Sequence, residues 1–211
     1  MRITKFGHSC LLVEENDVRV LIDPGAFSNS QNTVENLDVI LITHEHQDHL
    51  SIESLQTILV NNPSAKIFTN PGVGQKLSEV GINFSLLLDK DVTTIKNVRI
   101  EGVGTNHAFI YTNLPIVRNT GYIINDKLFY PGDALTLPDR SIDILAYPAV
   151  APWMKMSEAI DYGKAVKPKI AFPVHDGFLK FGGPYYRMAE IEFTAIGTKW
   201  VVIEDNTSAE F

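Results

Sequence analysis

One short segment constrains this 211-residue chain more than any other. The apolar run 38–43, DVILIT, leads directly into His44-Glu45-His46-Gln47-Asp48-His49. A continuous run of that length reads as a buried strand. Four of the six residues behind it are good metal ligands: His44, His46, Asp48 and His49. Imidazole and carboxylate together suit zinc, and also iron or manganese. His44 and His46 are two apart, so on an extended segment their side chains point the same way. Asp48 and His49 can then turn back toward a second position, and one short loop could feed two metals. A solvated loop has no reason to gather three histidines and a carboxylate beside a hydrophobic strand.

Three further segments share one form, an apolar strand that ends in a potential ligand. VRIEGVGTNH ends at His107, KLFYPGD at Asp133 and KIAFPVH at His175. Ligands delivered from several strand ends can converge on one rim of a sheet. Alone, His107 and His175 would read as hydrogen-bonded structural histidines, and Asp133 as the carboxylate of a Pro-Gly-Asp turn. Beside the 44–49 cluster, the ligand reading is the stronger.

Around these segments the periodicity predicts strands and helices in series. Residues 10–14 and 18–22 flank a turn at Asn16 and Asp17 and read as a hairpin. A helix is expected over 51–61, where Ile52, Leu55, Ile58 and Leu59 recur at helical spacing behind Ser51 as N-cap. Residues 66–69 read as a strand and 73–80 as a short helix. Further strands are expected at 98–103, 120–124, 127–130, 142–146, 169–174 and 199–203. A helix is expected over 157–166, capped by Ser157, and another after Pro184. Two packed sheets with helices outside satisfy this order, and residues 1–211 read as a single domain.

The net charge of -7 argues against a general nucleic-acid binder. Cys10 is the only cysteine, which precludes an intramolecular disulfide and favours a reducing cytoplasm. The start MRITKFGHSC is not a signal peptide. No apolar run approaches the roughly 20 residues of a membrane span. A small-molecule substrate is the expected partner, and homo-oligomerisation stays open.

The run T-H-E-H-Q-D-H resembles the H-x-H-x-D-H signature of the metallo-β-lactamase superfamily. Asp23 before that run, after an early strand, and His107, Asp133 and His175 behind it keep that family's order, and the resemblance spans about residues 1 to 205. The opening F-G-H-S-C is similar to a branch of small bacterial and archaeal metal-dependent hydrolases that includes relatives of ascorbate-6-phosphate lactonase. The resemblance implies an α/β fold, a four-layer αββα sandwich with its site at one edge of the sheets. It implies one metal on His44, His46 and His107, another on Asp48, His49 and His175, and Asp133 bridging them. It also implies Asp23 supporting a ligand from behind, whereas His8 has no ligand place and reads equally as lining the pocket or bonding a supporting carboxylate, or as purely structural. The cofactors implied are two divalent ions, Zn2+ foremost, with Mn2+ or Fe2+ as alternatives. The implied activity is hydrolysis of a small ester, lactone, amide or phosphodiester by a dinuclear-metal-activated hydroxide, with Asp48 relaying a proton. A metal-dependent binding domain and a diiron redox protein are the rival readings. His46 departs from the glutamate of the diiron flavoprotein branch, and His49 from the arginine of the commonest metallo-β-lactamases.

Weaker signals lie elsewhere. Gly72 and Gly74 read as a simple turn rather than a phosphate loop, and Cys10 as a buried strand residue. Trp153, Met154 and Lys155 read equally as a pocket wall or as helix-entry packing. Tyr185, Tyr186 and Arg187, and Arg118 at the end of the 108–118 loop, are candidate substrate contacts.

Overall fold

The computed structural model describes residues 1–211. The first half runs β1 (Arg2–Lys5), β2 (Leu11–Glu15), β3 (Val18–Ile22), β4 (Val39–Leu41), α1 (Ile52–Asn61), β5 (Lys66–Thr69), α2 (Pro71–Glu79) and β6 (Ser85–Leu86). The second half runs β7 (Val92–Ile95), β8 (Val98–Val103), β9 (Gly121–Ile124), β10 (Leu128–Tyr130), β11 (Ile144–Pro148), α3 (Met156–Val166), β12 (Ile170–Val174), α4 (Gly183–Ala195), β13 (Lys199–Trp200) and β14 (Thr207–Glu210). No helix is long and apolar enough to cross a membrane.

The strands form two mixed sheets, ordered β14-β1-β2-β3-β4-β5-β6 and β13-β12-β11-β10-β9-β8-β7. In each, antiparallel strands give way to parallel ones: β3 pairs parallel with β4, and β10 with β11. Side-chain alternation sorts each strand between two cores. Leu11 and Val13 of β2 face the other sheet, whereas Leu12 faces the helices. Ile40 and Ile67 pack with Leu55 and Ile58 of α1 and with Val73 and Leu77 of α2. On the far side, Phe129, Leu145 and Ala171 pack with Ala159 and Tyr162 of α3 and Phe193 of α4. The result is the expected αββα sandwich.

Two tyrosines of the central core connect packing to the strand-end loops. Tyr122 donates its hydroxyl to Ile42 O at 3.0 Å, and Tyr130 donates to Ser9 O at 2.9 Å. Both side chains are fully buried, so each hydroxyl needs a partner. The carbonyls chosen belong to the segments that carry His44 and His8.

The 10–14/18–22 hairpin forms, and Asn16 and Asp17 take φ of 46° and 62°, as a two-residue primed turn requires. Ser51 caps α1 by accepting from Ser54 N at 3.2 Å. Other expectations need correction. Gly72 and Gly74 lie inside α2, which starts at Pro71 with Asn70 accepting from Gly72 N and Val73 N. Ser157 is not the cap of α3: Lys155 is, its N–H donating to Glu158 Oε2 at 2.7 Å. β13 stops at Trp200, and β11 is shifted to Ile144–Pro148.

Candidate metal centre

Strand direction decides where the polar residues meet. β1 is antiparallel to β2, and β2 to β3, so β1, β3 and β4 run the same way. In the second sheet β8, β10 and β12 share a direction by the same logic. Their carboxyl ends release His8, Asp23 and His44–His49 from one sheet and His107, Asp133 and His175 from the other. His44, His46 and His107 bring ligand atoms within 4.8 Å of one another, and so do His49, Asp133 and His175.

The hydrogen bonds fix which ring nitrogen faces inward. His107 Nδ1 donates to Ala108 O at 2.6 Å, and His175 Nδ1 donates to Val150 O at 2.5 Å. His49 Nδ1 donates to Asp23 Oδ2 at 2.7 Å. Thr43 donates its hydroxyl to that same oxygen at 2.7 Å and lies 3.0 Å from His44 Nδ1. Each outward partner thus leaves Nε2 aimed at the centre, the arrangement that orients imidazole toward a metal. His44 Nε2 and His46 Nδ1 lie 3.1 Å apart and point at a common region. Asp133 stands between the two sets, with Oδ1 3.2 Å from His49 Nε2 and Oδ2 3.3 Å and 3.2 Å from His107 and His175 Nε2. Asp48 Oδ2 lies 3.3 Å from His175 Nε2 and 3.9 Å from His49 Nε2.

Three of these buried atoms, His107 Nε2, His175 Nε2 and Asp133 Oδ1, have no hydrogen-bond partner. Orphaned buried polar atoms are costly and uncommon in a native fold. Their convergence, together with an imidazole and carboxylate donor set, fits divalent cations such as zinc.

His8 is adjacent but differently wired. Gly177 N–H donates to His8 Nδ1 at 2.9 Å, so in the neutral ring the proton sits on Nε2. That Nε2 lies 3.2 Å from Asp48 Oδ2 and donates to it. Although His8, Asp48 and His175 cluster closely enough to suggest a ligand set, the tautomer makes His8 a holder of Asp48, with no lone pair to offer.

The charges divide the histidines. Burial lowers the pKa of His44 and His46, helped by neighbouring imidazoles, so both are neutral. Burial also lowers His8, outweighing the bond to Asp48. Burial would lower His175 as well, but Asp133 and Asp48 outweigh it and hold its pKa up at about 9. Asp133 and Asp23 likewise outweigh burial at His49 and raise it well above its ordinary value. Burial opposes ionisation of Asp133, yet His49 and His175 keep it well below the usual carboxylate range; His175 and His8 do the same for Asp48. In the metal-free chain, therefore, protons on His49 and His175 neutralise carboxylates that a cation would otherwise satisfy.

Several supports were not visible as site residues. Asn119, fully buried, accepts from Asp133 N at 3.0 Å and donates to Pro131 O at 2.9 Å, clasping the Pro-Gly-Asp turn. Gly132 has φ of 63°, and a Cβ there would lie 2.4 Å from Asn119 Oδ1. Asp23 and His175 adopt φ of 47° and 57°, uncommon for residues other than glycine. Gly25 lets the backbone pass the 44–49 loop, because a Cβ there would meet Asp48 O at 2.1 Å. Gly25→Ala should therefore push the 48–49 backbone away, costing roughly 1–3 kcal/mol as overpacking does and weakening metal affinity. Calorimetry with competitive metal titration checks this; an alanine variant with unaltered affinity would show that the contact does not shape the loop.

The cluster opens into a cleft of about 330 Å³ that includes Phe27, Ile110, Trp153 and Phe178. Trp153 belongs to the wall and donates Nε1–H to Asp133 Oδ2 at 3.1 Å. Tyr185, Tyr186 and Arg187 do not line it. They lie on α4, and Tyr186 donates to Asp176 Oδ2, which also pairs with the buried Lys5. Arg118 lies in a separate groove, 3.4 Å from Asn106 Oδ1. Cys10 is buried, and burial raises its thiol pKa, so it is no nucleophile.

Two mixed sheets between helix layers, with a His/Asp cluster at the strand ends, define the metallo-β-lactamase class. A model of the beta-lactamase superfamily domain matches residues 2–175. Protein Rv0786c of Mycobacterium tuberculosis is 39% identical over 202 residues, 92% of this chain and 94% of its own length. A UPF0173 protein of Pyrococcus abyssi is 30% identical over 215 residues, 97% of this chain and 96% of its own. The solved structure of a candidate metal-dependent hydrolase from Parabacteroides distasonis superposes with a TM-score of 0.78 at 26% identity, over 96% of this chain and 92% of the other. The chain belongs to the beta-lactamase superfamily and, within it, to the UPF0173 family.

Proposed function

We propose that residues 1–211 form one metal-dependent hydrolase domain acting on a small ester, lactone, amide or phosphodiester. The observation that carries this is the convergence of the buried, unpartnered His107 Nε2, His175 Nε2 and Asp133 Oδ1 on the floor of an open cleft. His44, His46 and His107 would hold one cation, and Asp48, His49 and His175 the other, with Asp133 shared. Two divalent cations, Zn2+ foremost, would supply Lewis acidity and a water of lowered pKa. Asp48, held from behind by His8 Nε2–H, is placed to accept and relay a proton at its Oδ2. Asp133 keeps its charge because histidines surround it. The hydrolase named among the structural relatives supports this reading. The single buried cysteine fits a cytoplasmic setting.

The test is steady-state turnover over a panel of esters, lactones, amides and phosphodiesters. Turnover should vanish on chelation and return with metal. A fully loaded chain inert to every member would move the reading to a binding domain. Stoichiometry is a separate expectation: two ions per chain at saturation, by elemental analysis after reconstitution. A plateau at one ion would leave one ligand set without its assignment.

A further inference from the structure

The walls of the cleft say more than its floor. Phe27 and Phe178 meet edge to face with ring centroids 5.6 Å apart, and both rings pack on His8, at 5.2 Å and 4.8 Å. They are nonetheless 43% and 49% exposed, large aromatic surfaces turned to solvent beside the metal-binding floor. Trp153 lies 5.5 Å from the ring of His107, and Ile110 also lines the cleft. The loop that supplies Ile110 leaves Phe109, Tyr111, Leu114 and Ile116 exposed as well. Scattered exposed apolar residues are ordinary, but a set lining a concave site marks what the site binds.

The charges are as telling. No lysine or arginine lines the cleft, whereas Asp48 and Asp133 do. Arg118 lies in its separate groove, and Lys180 sits over the Phe181 ring at 5.7 Å. Cations bound on the floor would take one anionic or polarised group of a substrate. A second anionic group, such as a phosphate remote from the scissile bond, would find no cationic side chain in this cleft.

We propose that the substrate carries an apolar acyl or aryl group beside its scissile bond and no second anionic group. This rests on the hydrolase reading and narrows it, setting aside phosphorylated lactones. The volume of about 330 Å³ is at the small end for ligand sites, which run from roughly 300 to 1,000 Å³. It suits one ring or a short acyl chain together with the scissile group.

The metal-loaded protein should be tested with γ-butyrolactone, γ-hexalactone, γ-octalactone and 6-phosphogluconolactone. Each added methylene that enters the cleft should raise kcat/KM about threefold to fourfold. The phosphorylated lactone should be the poorest of the four. Because the Phe178 ring also packs on His8 and His175, Phe178→Ser is read as a ratio: it should cost γ-octalactone about tenfold more in kcat/KM than γ-butyrolactone, with metal content measured on the same sample. A second readout needs no turnover. In a Trp200→Phe background, octanoate should shift the fluorescence of Trp153, and 6-phosphogluconate should not. Turnover flat with chain length, or highest for the phosphorylated lactone, would overturn the apolar assignment and leave the hydrolase standing. No turnover of any lactone, with Trp153 still answering octanoate, would count against lactone hydrolysis and for an apolar ligand. A Trp153 signal indifferent to octanoate would overturn the proposal.

Discussion

Asp133→Asn should lower turnover by about 10³-fold or more, on the order of 4 kcal/mol in the barrier, while the chain still folds. Asparagine nearly conserves volume, and Asn119 can still donate and accept around the 131–133 turn. What is lost is a charge within 3.3 Å of three histidine nitrogens, His49, His107 and His175. A shared ligand that no longer carries charge holds two cations poorly. Metal content should therefore fall along with rate, and added metal should recover only part of the activity. The informative contrast is His8→Ala. That ring donates to Asp48 and has no free lone pair, so the variant should keep both ions and lose activity about 10- to 100-fold, as removal of an outer support does. Elemental analysis and single-turnover rates on both variants separate the cases. Wild-type turnover in Asp133→Asn at saturating metal would remove Asp133 from the centre, and loss of both ions from His8→Ala would make His8 a ligand.

Much of this site could be read in the chain because chemistry and strand ends coincide. His44 to His49, Asp133 and His175 each follow an apolar run, and strands that share a direction deliver their ends to one edge. The hairpin at Asn16 and Asp17 and the cap at Ser51 were legible for a local reason: turn and cap preferences act within a few residues. What was hidden depends on partners distant in sequence. β1 and β14 pair with each other at Arg2↔Glu210, yet RITK and TSAE are too short and polar to announce strands. Asn119 looks like any loop asparagine until Asp133 N is placed against it. Gly25 looks like part of a Pro-Gly turn until the backbone of Asp48 passes beside it. The apolar walls at Phe27 and Phe178 come from two loops more than a hundred residues apart, and no periodicity links them.

The metal-free chain should lose stability as pH rises from about 6.5 to 9, and metal should reverse that trend. His175 goes from an ordinary value of 6.5 to about 9 in the fold. A raised histidine stabilises fully below its unfolded value, and the benefit is lost as pH climbs through the folded one. Over that window the loss is roughly 3 kcal/mol for this buried ring, or about 6–12 °C in Tm for a chain of this size. His49 is raised as well, and acts in the same direction. His8, His44 and His46 are lowered, so their contribution has the opposite sign and is lost only as pH falls below about 6.5. The metal-free optimum should therefore lie near pH 6.5. Bound cations take over from the protons on His49 and His175, and they hold deprotonated ligands more tightly as pH rises. The gap in Tm between loaded and metal-free protein should widen steadily from pH 6.5 to 9. Calorimetry on chelated and reconstituted samples across that range measures it. A metal-free Tm that is flat or rising over the same range would mean that Asp48 and Asp133 do not hold a proton on His175, and the electrostatic account of the centre would have to be rebuilt.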